Sequence, residues 1–153
     1  FYWSFHGNEL PGMSAYYQQP VFSVQDGYFA SRYTRTHMLS ATMMDNLPKW
    51  TPEQSEALDL IDTICQRPEF QLTMMFKPGD IQFLNNHLAF HTRTEFEDYQ
   101  DPDKRRHLLR LWLSVPNSRP LSPGFKAFYG DTRPGAVRGG HPGHGETPAF
   151  TTI

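Results

Sequence analysis

Cysteine is almost absent from this chain, and Cys65 is the single one. An internal disulfide framework is therefore excluded, and the usage suits a reducing, cytoplasmic compartment. Long apolar runs are missing as well. Nothing approaches the roughly 20 consecutive apolar residues of a membrane helix, and the first residues do not read as a signal peptide. Neither sign of charge is in excess: 14 Lys and Arg against 16 Asp and Glu leave a formal net charge of −2. That balance gives no reason to expect nucleic acid or an anionic membrane as a partner.

What is present points to strands and ordered loops. Aromatics make up 14% of the chain and prolines number 13, which favours turns and extended segments over a helical bundle. The 153 residues fit one domain with a genuine core. The chain opens Phe1-Tyr2-Trp3-Ser4-Phe5 with no polar lead-in, and it reads as a cut into a larger domain. The expected class is mainly β with a few helices.

Taken in order, Tyr16 to Ser23 is extended at best, because Pro20 removes a donor. Asp26-Gly27 between two aromatic-rich runs signals a hairpin. Thr34 to Met44 is open between strand and short helix. Thr51-Pro52-Glu53-Gln54 supplies an N-cap, a proline at the first helical position and a capping box. Ala57, Leu58, Ile61, Ile64 and Cys65 then follow helical spacing, with Cys65 expected in the core, until Arg67-Pro68 stops the helix. From Glu69 the period drops to two: Phe70, Leu72, Met74 and Phe76 predict a half-buried strand. Pro78-Gly79-Asp80 is a tight turn. Strands are expected at Ile81–Leu84, Leu88–His91 and Arg106–Val115, with a polar loop at Glu95–Lys104. Residues 116–153 form a tail too rich in Gly and Pro to build a core, expected to wrap the outside or cover a site.

The chemistry concentrates between Lys77 and Val115. His91, after Ala89 and Phe90, is a ready ligand for a divalent metal, although a lone His on an apolar strand is more often structural. Arg106 and Arg110, four apart on an expected strand, would share a face. Two like charges there ask for an anion, and the planar fork of Arg suits a carboxylate. Pairing with Glu95, Glu97, Asp98 or Asp101 explains them equally well, and spacing leaves both readings open. His87 and His91 would share a face only on a helix. His141 and His144 sit in the tail, His37 and His107 carry no motif, and Cys65 reads as packing.

The run PGDIQFLNNHLAFHTRTEFED…RRHLLRLWLS resembles the C-terminal half of the TauD/TfdA-type iron(II)- and 2-oxoglutarate-dependent dioxygenases. It has a PGD turn, Asn86 five residues before His91, an HxR ending in Arg93, and the later Arg106-x-x-x-Arg110. YYQQPVFS upstream and PGAVRGG downstream fit as well, so the likeness covers roughly residues 10–140. The resemblance implies a double-stranded β-helix (jelly roll), of which this chain would be the C-terminal part. It implies His91 as the distal iron ligand and Arg106 as the grip on the far carboxylate of 2-oxoglutarate. Arg110 would lie near the substrate or help hold the co-substrate, and Asn86 and Arg93 would be supporting residues. The implied reaction converts 2-oxoglutarate and O2 to succinate while a small organic substrate is hydroxylated.

The family's other two iron ligands come from an HxD or HxE motif in the first half of the fold. Neither is read in this chain, the nearest approximation being His6-Gly7-Asn8 with Glu9 beyond, and an amide is a poor ligand for iron. Three readings follow. The chain is half of a dioxygenase whose remainder supplies the pair; it is a non-catalytic jelly roll that binds a small carboxylate; or two chains complete one fold, as a homo-oligomer or with a second partner.

Overall fold

The computed structural model describes residues 1–5, 9 and 11–138, so His6, Asn8, His141 and His144 lie outside the described residues. Among the described residues the regular structure is four short antiparallel strands and few helices, divided between two compact units. Each unit is assembled from two separate stretches of chain.

The first unit combines Phe1–Gln19 with Tyr33–Asn85. Strand β1 (Tyr2–Ser4) pairs with β2 (Tyr16–Gln18), setting Trp3 opposite Tyr17. Trp3 is fully buried, and its indole N–H donates to the Gln19 carbonyl at 3.1 Å, so the ring enters the core with its polar atom satisfied. Helix α1 (Arg35–Thr42) resolves the ambiguous segment and packs on β1 through buried Met38 and Ala41. His37 Nδ1 donates to the Ser4 carbonyl at 2.9 Å.

Helix α2 (Pro52–Cys65) starts where the sequence places it. Gln54 N–H donates to Thr51 Oγ1 at 3.2 Å and Thr51 N–H donates to Gln54 Oε1 at 3.0 Å, completing the capping box. Thr51→Ala should therefore cost about 1 kcal/mol in chemical denaturation. An unchanged midpoint would mean that the start of α2 adds nothing to cooperative stability. Arg35 bridges Asp59 and Asp62 of α2 at 2.5 Å each, and the Tyr33 hydroxyl donates to Asp62 at 2.7 Å. Burial and the Asp62 carboxylate push the Tyr33 phenol well above its usual range. Only the middle of α2 is covered: Leu58 is fully buried, whereas Ile64 and Cys65 are exposed. Cys65 is thus not a core residue, because the last turn carries the apolar stripe past the surface that α2 packs against.

The second unit combines Pro20–Arg32 with residues from Asn86 onward. Strands β3 (Phe22–Gln25) and β4 (Tyr28–Ser31) form the expected hairpin. Asp26 at φ 51° and Gly27 at φ 79° make the two left-handed positions of its tight turn. The core is Ala30, Leu121 and Phe125, with Tyr129 packed against them. The described residues after Pro116 therefore do build a core, contrary to their Gly and Pro content. They do so with single large residues held by turns, not with a periodic face. Leu121 N–H donates to the Thr132 carbonyl, and Gly135 N–H to Ser118. Gly135 sits at φ 69°, and a Cβ there would fall 2.6 Å from the Pro116 carbonyl oxygen.

The four strands expected from Phe70 to Val115 do not form among the described residues. The Lys77–Asp80 turn closes as read, with Asp80 N–H on the Lys77 carbonyl and Lys77 N–H on Asp80 Oδ2. On either side of it the alternating residues stay in the open, Leu72 at 84%, Phe83 at 79% and Leu111 at 83% exposure. Period two shows that a face is meant to be covered; a strand also needs a ladder partner, and none of the described residues supplies one here. Among the described residues no helix is long and apolar enough to cross a membrane.

Candidate active site

The second unit holds every candidate residue from Asn86 to Arg110. Asn86–Leu88 is a turn, not a strand or helix, so the idea of His87 and His91 as a pair on one helical face fails. The His87 carbonyl instead accepts from both the N–H and the hydroxyl of Ser31, each at 3.0 Å. Three residues on, the Phe90 ring lies 6.4 Å from that of Phe22. The β3–β4 hairpin thus braces the approach to His91 at two points, which sequence reasoning missed because the partners lie far apart in the chain.

His91 itself is exposed. An exposed imidazole is open to a metal ion. No group of three His, Cys, Asp or Glu side chains able to hold a metal occurs among the described residues. They therefore do not offer an iron a facial set of three. The reading of the second ligand motif as missing overlooks one spelling, His144-Gly145-Glu146. It follows His91 in the chain, the reverse of the family order, and lies outside the described residues.

Arg93 and Arg106 come together around a residue not singled out before. Their guanidinium carbons lie 4.4 and 5.2 Å from the centre of the Phe96 ring, within cation–π range. The Arg-x-x-Phe spacing from Arg93 was the available signal. A shallow recess beside it is lined by Arg93, Thr94, Glu95, Phe96 and Glu97. The alternative in which the loop acids neutralise the arginines is not what forms: Asp98 accepts from the backbone N–H of Arg106 at 2.9 Å, and Asp101 pairs with Lys104 at 3.1 Å. Neither Arg106 nor Arg110 forms an ion pair among the described residues, and Arg110 is exposed. No strand forms at Arg106–Val115, so a shared strand face for the two guanidiniums is not realised.

The chemistry available is thus an open imidazole followed by guanidiniums without carboxylate partners among the described residues. Comparison with known proteins narrows it. Residues 2–112 match the family described as "Taurine catabolism dioxygenase TauD, TfdA family". The chain is 34% identical over 122 residues to FR-33289 synthase of Streptomyces rubellomurinus, an alignment covering 77% of this chain and 35% of that protein. It is 32% identical over 111 residues to uridine-5′-phosphate dioxygenase of an Amycolatopsis species, covering 71% and 38%. A taurine hydroxylase-like protein of Stachybotrys chartarum is 47% identical over 96 residues, covering 61% and 24%. The aligned part of the chain spans between 24% and 38% of the length of these curated relatives.

Proposed function

The chain belongs to the TauD/TfdA family of dioxygenases, and from that premise we propose that it is the C-terminal part of an iron(II)- and 2-oxoglutarate-dependent dioxygenase acting on a small organic substrate. The observation that carries this reading is the state of the two key side chains: His91 is exposed, and Arg106 makes no ion pair among the described residues. Both are thus available to a ligand and not consumed by the fold.

His91 supplies one nitrogen ligand to iron. Arg106 holds the far carboxylate of 2-oxoglutarate through its planar fork, and its place over Phe96 limits the directions in which it can point. Arg110 faces the substrate or assists Arg106. Arg93 shares the Phe96 platform and keeps the loop after His91 in shape, with Asn86 in the turn before it. Bound iron and 2-oxoglutarate supply the activation of O2 that oxidises a substrate carbon, with succinate and CO2 as co-products. The second imidazole and the carboxylate belong to the rest of the jelly roll, whose strands also cover the apolar residues left open between Phe70 and Val115.

The test is succinate release by the full-length gene product with iron(II), 2-oxoglutarate and a panel of small organic substrates. Release that requires both iron and 2-oxoglutarate is the expected result. A full-length protein that binds 2-oxoglutarate but neither retains iron nor releases succinate would overturn the reading in favour of a non-catalytic carboxylate binder.

A further inference from the structure

Around Tyr129 the second unit gathers positive charge that the dioxygenase reading does not use. Arg138 is at the centre of it. Its Nη2 donates to the carbonyls of Arg119 at 2.6 Å, Thr132 at 3.2 Å and Arg133. Those bonds occupy one nitrogen of the three. The Nε–H is buried and has no hydrogen-bond acceptor among the described residues. A buried donor on an ionised group, left unpaired, is among the more costly features a fold can carry, and it calls for an explanation.

Other cations converge on the same place. Arg119 is anchored by Nη1 to the Phe29 carbonyl at 2.6 Å and forms no ion pair among the described residues. Arg32 lies over the Phe128 ring at 3.8 Å, and that ring meets Tyr129 edge-on at 5.0 Å. The His87 ring stands 5.8 Å from Tyr129. The nearby acid, Asp131, is already committed: Arg133 grips it through Nε at 3.0 and 3.1 Å and through Nη2 at 2.6 Å, which pulls its carboxyl down to about 2. If Arg138 were only a staple for three carbonyls, Nη2 alone would suffice, and neither the idle Nε nor the company of two more guanidiniums would be accounted for.

We propose that this corner is a binding site for a phosphate-type dianion, held by Arg138 and Arg119 with the Tyr129 hydroxyl as a further donor. A carboxylate presents two oxygens and one charge, which a single Arg fork meets. Several cationic donors approaching from different directions fit a tetrahedral group with three terminal oxygens and two charges. The local titrations agree. Burial raises the Tyr129 phenol, against the pull of Arg32 and Arg138, so it remains a hydroxyl donor at neutral pH. Burial, then Arg119 and Arg138, lower His87, so the positive charge here is that of the arginines. This site stands independently of the iron chemistry.

The experiment is titration calorimetry on the full-length protein, without iron or 2-oxoglutarate, using inorganic phosphate, a simple alkyl phosphate and acetate in parallel. Saturable binding of the phosphates, weakening as salt is raised, is expected, with acetate at least tenfold weaker. Tighter binding of the alkyl phosphate assigns the site to a small phosphate ester, and equal binding assigns it to the free ion; both support it. Arg138→Gln should weaken phosphate at least tenfold, but it also removes bonds that hold the fold. Tyr129→Phe, which keeps the ring packing, should weaken it roughly three- to tenfold, and Arg119→Gln about tenfold. Absence of saturable phosphate binding overturns the proposal. So do unchanged affinity in both Tyr129→Phe and Arg119→Gln, or acetate binding as tightly as phosphate.

Discussion

His91→Ala in the full-length protein should lower 2-oxoglutarate-dependent succinate release by more than about a hundredfold. Losing a residue that merely supports a metal ligand already costs on the order of 10- to 100-fold in metal affinity or activity, and loss of a ligand itself should cost more. The position makes the experiment clean. His91 is exposed within the described residues, so replacing it removes no packing among them. A folded but inactive variant that no longer retains iron on dialysis is the expected outcome. Turnover within tenfold of the parent would show that His91 is not a ligand and would remove the basis for the rest of the assignment.

Arg106→Gln should raise the apparent KM for 2-oxoglutarate by about ten- to a hundredfold, the worth of a charge-assisted bond to a carboxylate. Arg106→Lys should recover only part of the loss, because an ammonium keeps the charge but not the two parallel donors. Arg106 uses its backbone N–H, not its guanidinium, to hold Asp98, so neither substitution breaks that loop contact. An effect on kcat alone, with KM unchanged, would place Arg106 away from the co-substrate. Equal effects of Arg106→Gln and Arg93→Gln would point to the Phe96 platform they share and not to direct binding.

The parts of the fold legible in the sequence are those decided by neighbours in the chain. The capping box at Thr51, the Asp26-Gly27 turn and the Lys77–Asp80 turn each follow from a few adjacent residues, and each forms as read. The strands between Phe70 and Val115 were not legible in the same way. Alternation at Phe70, Leu72, Met74 and Phe76 says that one face seeks cover but not what covers it, and the described residues leave that face open. The core of the second unit was hidden for the opposite reason. Leu121 and Phe125 are separated by turn residues and show no period, yet they are among the most buried side chains. At the candidate site, the contiguous spelling from Asn86 to Arg93 was readable at once. Ser31, Phe22 and Phe96 were not, because their importance comes from contacts that no linear motif records.

The interleaving of the two units has a consequence for synthesis. The hairpin Pro20–Arg32 leaves the ribosome before its core partners Leu121 and Phe125 and its tether His87, which lie beyond the whole Tyr33–Asn85 stretch. An isolated two-stranded hairpin is marginal in water, so Ala30, its residue in that core, must wait without permanent cover while the Tyr33–Asn85 stretch is made. Closing so long a loop adds little to the equilibrium cost, since each doubling of length is worth only about 0.6 kcal/mol. The delay is kinetic: until residues near 125 emerge, this short aromatic hairpin stays open to pairing with the wrong neighbour.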